Sequence, residues 1–188
     1  MLRNLMMVTT LAVMALTAPA WAQETYELDT AHTSIVFKVD HAGRSFTWGR
    51  FNDFNGSFTI NRENPEQSRF GFTVQAESLD TNHDRRDGHL RSGDFFNVAR
   101  YPEITLTSKT IEPIEDGLRV TADLTLLGET REVTFDLAEM AEGEARGNYY
   151  KGYDTELTIQ RSDFGMEYGL GGIGDDVTLY VSFEGIRQ

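Results

Sequence analysis

The residue types best suited to chemistry crowd into one stretch of the chain. His83, Asp84, Asp87 and His89 stand among Arg85, Arg86 and Arg91, with Asp94 and Arg100 close behind. His83 and Asp87 are four positions apart, so a helix would put them on one face. Imidazole and carboxylate together can ligate a metal, and a metal-dependent hydrolase on His83, Asp87 and His89 is the enzymatic alternative. No HExxH or comparable ligand spacing supports it. Pairing of the carboxylates with the neighbouring arginines accounts for the same residues. The planar guanidinium fork also suits a phosphate or carboxylate head group, which makes Arg86 and Arg91 head-group candidates. The glycine run at residues 169–174 leads into a strand-like row from Val177. A dinucleotide loop would open a helix there. No GxSxG occurs, and no nucleophile–base pair can be placed by spacing. With no cysteine, thiolate zinc sites, Fe–S clusters and cysteine nucleophiles are excluded. The expectation is a binding protein and not an enzyme, with no metal and no cofactor.

The aromatic residues offer a different chemistry, that of apolar enclosure. Twelve Phe, seven Tyr and two Trp are many for a chain of net charge −13. Phe37, Phe58, Phe72, Phe135 and Phe183 sit on apolar rows, as do Val74 and Leu124. These rows suit either a solid core or the wall of a cavity, and the residues alone leave both open. The run from His41 to Phe51, HAGRSFTWGRF, mixes rings, glycines and polar groups. It suits a barrel mouth where His41, Phe46, Trp48 and Phe51 meet a ligand head group. The plain alternative is a bent strand with a bulge at Gly43 or Gly49.

The elements that must position these residues are strands. Leu118, Val120, Ala122, Leu124 and Leu126 alternate with polar residues, and so do Val133, Phe135 and Leu137 beyond a turn at Gly128-Glu129. Period-2 alternation marks strands with one buried face. Similar rows occur at Ile35/Phe37/Val39, Phe58/Ile60, Phe70/Phe72/Val74/Ala76, Ile104/Leu106, Tyr153/Thr155/Leu157/Ile159 and Val177/Leu179/Val181/Phe183. Turn residues fall at 61–65, 115–117 and 142–144. About eight strands with one solvated face indicate an antiparallel barrel or sandwich. Residues 81–101 lack alternation and predict a short helix plus loop. Thr81 or Asn82 is the candidate cap, and the chain is extended before Pro102. The Phe95-Phe96 pair would pack this segment on the sheet.

The ends and the composition bound the rest. Arg3, the apolar run at residues 5–16 and Ala20-Trp21-Ala22 form a secretory signal peptide with cleavage after Ala22. The run is too short to span a bilayer, which takes about 20 residues. Residues 23–188 then make one domain with its own core. The expected location is the periplasm, as an exported, secreted, soluble protein that does not span the membrane. Loss of Arg3 makes the mature chain one unit more negative, which disfavours nucleic acid and anionic membrane surfaces.

Several motifs in order resemble the YceI family of periplasmic polyisoprenoid-binding proteins. The clearest is Asp80-Thr81-Asn82-His83 through Arg86-Asp87-Gly88-His89-Leu90-Arg91-Ser92-Gly93-Asp94-Phe95-Phe96, then Tyr101-Pro102. Phe51-Asn52-Asp53-Phe54-Asn55-Gly56-Ser57-Phe58, Arg161-Ser162-Asp163-Phe164-Gly165-Met166 and the closing strand to Gly185 are also similar. One departure is Glu132, where relatives often carry proline. The resemblance implies an all-β, lipocalin-like antiparallel eight-stranded barrel around an apolar cavity. It implies a polyisoprenoid, isoprenoid quinone or fatty acid derivative as ligand, held for carriage or storage, and no catalytic residues. Phe37, Phe58, Phe72, Val74, Leu124, Phe135 and Phe183 are then the expected cavity residues. The rival reading is a filled barrel without lipid, an interaction or stress-response module beside a membrane redox partner. An edge or mouth-to-mouth homodimer fits either.

Overall fold

The computed structural model describes residues 23–188; the signal peptide and its cleavage at Ala22 lie outside them. Eleven strands form one antiparallel sheet. They are β1 (Gln23–Leu28), β2 (Ser34–His41), β3 (Ser45–Phe51), β4 (Phe54–Asn61), β5 (Arg69–Gln75), β6 (Leu79–Asp80), β7 (Glu103–Ile114), β8 (Gly117–Leu126), β9 (Glu129–Ala145), β10 (Asn148–Gln160) and β11 (Ile173–Arg187). Every apolar row predicted from alternation falls on a strand or its immediate end. Eight strands close a ring in the order β1-β4-β5-β7-β8-β9-β10-β11, with Leu28 of β1 paired to Gly185 of β11.

The ring forks along β11. Its C-terminal end pairs with β1, whereas Val177 to Ser182 pair with β2. The switch occurs at the turn between β1 and β2, where Asp29 N–H donates to the Glu184 carbonyl at 2.8 Å. β2 carries β3, and β3 pairs further only through Arg50 and Phe51 with β6. β3 and β4 are not paired to each other. Residues 81–101 follow β6, and their apolar side chains pack with Phe51, Leu79, Leu124 and Leu126. They contain one helix, α1 (Asp84–Leu90).

Two local expectations are corrected. The cap of α1 is His83, whose ring accepts the Arg86 N–H at 3.2 Å. Asn82 instead takes a positive φ of 59° and turns the chain, and Thr81 is used elsewhere. The turn expected at residues 142–144 does not form there. β9 runs on to Ala145, and the reversal falls at Arg146-Gly147, both left-handed at φ 51° and 83°. A two-residue turn of that hand matches strand twist and needs a residue tolerant of positive φ, which Gly147 supplies.

The interior has two unlike halves. In one, Tyr26, Phe58, Phe70, Tyr153 and Phe183 pack ring on ring, with Phe58 centred 4.9 Å from Tyr26 and 5.5 Å from Phe70. Ionic contacts cap this half. Arg62 grips Glu142 with two bonds of 2.9 and 3.0 Å and reaches Glu24 at 2.9 Å. Lys151, buried, donates to Glu142 at 2.9 Å. The other half is hollow.

Candidate ligand pocket

The hollow half holds a cavity of about 370 Å³. Its wall comes from Phe37 and Val39 of β2, Val74 of β5, Leu124 of β8, Leu157 of β10 and Leu179 of β11. Period-2 alternation puts all of these on inward faces. Leu90, Phe95 and Phe96 form the lid. Phe72 and Phe183 meet edge to face at 5.1 Å and separate the cavity from the packed rings.

Two glycines make the hollow wide enough. Gly49 is paired across from Phe37, and Gly56 from Phe72. A Cβ at either position would overlap the facing ring, so each ring lies flat on bare backbone. Gly49 is thus a regular strand residue, not a bulge.

The lid is fastened by the charged motif of residues 80–96. Asp87, buried, accepts the Thr81 N–H at 3.0 Å and the Thr81 hydroxyl. Arg86 donates to Thr81 Oγ1 and to its carbonyl, each at 2.7 Å. Arg91 donates to the carbonyls of Glu77 and Leu79 at 2.8 and 2.6 Å. His89 meets Asp94 at 2.9 Å and stands edge-on to Phe95 and Tyr168. Arg161, from the Arg161-Ser162-Asp163-Phe164-Gly165-Met166 motif, is buried and donates to the carbonyls of Met166, Tyr168, Ile173 and Gly174. Burial pushes its guanidinium below the ordinary value, with Asp175 opposing. Arg86, His89 and Arg161, which border the cavity, are therefore turned toward protein partners.

The expected site residues divide. Phe37, Phe72, Val74, Leu124, Phe183, His41, Phe51 and Arg86 border the cavity. Phe58 and Phe135 do not; they belong to the packed half, because their strand positions lie nearer its closed end. Phe46 and Trp48 are corrected to the outer face, 56% and 51% exposed. They alternate with Thr47, Gly49 and Phe51, which point inward. Trp48 stacks on Tyr180 at 5.6 Å, and the Lys38 ammonium lies over Phe46 at 5.0 Å. Arg91 is a fastening of the lid and does not border the cavity. Leu90, Phe95, Phe96, Leu157, Leu179 and Met166 also border it. The lid residues carry no alternation to reveal which way they face.

The hydrolase alternative loses its geometry. His83 caps a helix, Asp87 binds Thr81 and His89 binds Asp94, so the three serve different partners. Among the described residues, Asp29, His32 and Glu184 gather ligand atoms closely enough for a metal. There His32 Nδ1 faces both carboxylates, at 2.9 and 3.3 Å, the arrangement of an imidazole donating a proton.

A closed antiparallel barrel of eight strands with an apolar internal pocket belongs to the small barrels whose interior is either filled by side chains or open to one small ligand. The chain belongs to the YceI family: the YceI-like domain matches residues 26–185. A UPF0312 protein of Pectobacterium atrosepticum is 36% identical over 188 residues, covering 99% of this chain and 98% of the relative. Among solved structures, Burkholderia cenocepacia BcnA superposes with a TM-score of 0.77 at 22% identity, covering 84% of this chain and 98% of that one. A domain from Saccharophagus degradans, described as polyisoprenoid-binding and implicated in plant cell wall breakdown, superposes at 0.62 with 18% identity, covering 87% and 98%.

Proposed function

We propose that this protein is exported to the periplasm and holds a long apolar chain in the hollow half of its barrel, for carriage or storage and without catalysis. An isoprenoid, an isoprenoid quinone or a fatty acid derivative has the right character. The observation that carries the proposal is the cavity itself: its wall is largely aliphatic and aromatic, and Arg86, His89 and Arg161 beside it are engaged with protein partners. Such a site gives a polar ligand little to bind. Each buried CH₂ of an apolar ligand contributes about 0.8 kcal/mol. The likeness to the domain described as polyisoprenoid-binding supports the same ligand class. Native mass spectrometry of protein purified from its own compartment tests the proposal. A bound lipid mass on a chain beginning at Gln23 is expected; apoprotein with no extractable lipid would sink it.

A further inference from the structure

We propose that the Phe72–Phe183 ring pair is a floor that sets how long a chain the pocket accepts. This rests on the lipid reading of the pocket. Both rings border the cavity, but the rings behind them do not. Phe183 is centred 5.5 Å from Tyr153, 5.7 Å from Phe58 and 6.3 Å from Phe70, and Phe72 is 6.4 Å from Phe70. Phe58, Phe70 and Tyr153 are at most 2% exposed. At native packing density such a cluster has no room for a further methylene. Behind it the ionic contacts of Glu24, Arg62, Glu142 and Lys151 close the barrel end. A tail entering the hollow half therefore stops at the two rings and cannot thread through. The position of the floor follows from backbone: Phe72 lies over Gly56, and Gly185 gives the same clearance to Phe58 behind it.

The test is a chain-length series. Straight-chain fatty acids of increasing length would displace a fluorescent fatty-acid analogue from the wild type, Phe72→Ala and Val181→Phe. Val181 borders the cavity two residues before Phe183 on the same strand face, so a ring there raises the floor into open space. In the wild type, affinity is expected to rise up to about fourfold per added CH₂ and then stop rising at one length. That break should move to longer chains in Phe72→Ala and to shorter chains in Val181→Phe. The second variant keeps the test alive if the first does not fold. A wild-type series with no break, or a break unmoved in a variant that binds, overturns the floor and leaves the lipid reading intact. A wild type that binds neither the analogue nor any chain overturns the lipid reading itself.

Discussion

Single atoms decide how the two halves of the interior behave. Tyr153 is fully buried among rings and its hydroxyl has no partner. Burial pushes that hydroxyl's pKa well above the ordinary tyrosine value. A buried, unmatched hydroxyl costs free energy that its removal recovers. Tyr153→Phe is therefore expected to stabilise the protein by about 1 kcal/mol, read as a higher denaturant midpoint with unchanged slope. Gly49 works in the opposite sense. Gly49→Ala would drive the Phe37 ring off its seat and into the cavity. Overpacking of this kind costs about 1–3 kcal/mol, and affinity for a fluorescent fatty-acid analogue should fall severalfold. Equal affinity in the two proteins would contradict the seating role.

At the scale of elements, two devices hold the barrel shut. The lid depends on Asp87, which binds residue 81 from inside α1. Asp87→Ala leaves the Thr81 N–H and hydroxyl without their carboxylate, at a cost of about 1–3 kcal/mol. Faster amide exchange across residues 81–101, with β8 and β9 unaffected, is the expected result. The closed end depends on Glu142. Its hydrogen bonds from Arg62, opposed by burial and aided by Lys151, hold its carboxyl down at about 2. Burial raises the Glu24 carboxyl, but hydrogen bonds from Tyr26 and Arg62 outweigh it and leave a net lowering. A carboxyl depressed in the folded state contributes stability that is present above its unfolded value and lost as pH falls. Stability should therefore decline from about pH 4.5 toward about pH 2. Glu142→Gln should flatten that decline, measured as denaturant midpoint against pH. An identical acid limb in the variant would exclude Glu142 as its source.

Across the whole molecule, the interior divides into a packed and a hollow half. The packed rings and the ionic cap can hold the ring of strands closed while the other half keeps space for a guest. A ligand that fills that space binds the folded state alone, so it must stabilise it by mass action. Addition of a bound chain at 100 times its Kd is expected to raise stability by about 2.7 kcal/mol, seen as a concentration-dependent rise in Tm. A Tm insensitive to any chain would speak for a barrel that binds nothing. The net charge of −13 acts at the same scale, keeping the outer surface away from polyanions.

The sequence by itself determined eight of the strands and their inward faces, because alternation is a local property and each row reports its own buried side; closure into a barrel is not local, since the same rows fit a sandwich. It also located the 81–101 segment as the exception, since that run has charge and no period. Whether an inward residue meets a packed ring or open space is another matter. It depends on which strands lie across the barrel at that height. Phe72 and Phe58 look alike along the chain, yet only Phe72 borders the cavity. The exposed placement of Phe46 and Trp48 follows from the phase of β3, which glycine at 49 obscured. The role of Arg86, Asp87 and Arg91 as fastenings came from residues 77–81 folding back against them. Tertiary contact alone joined those segments, because hydrogen-bond partners across a turn and a helix leave no spacing rule in the chain.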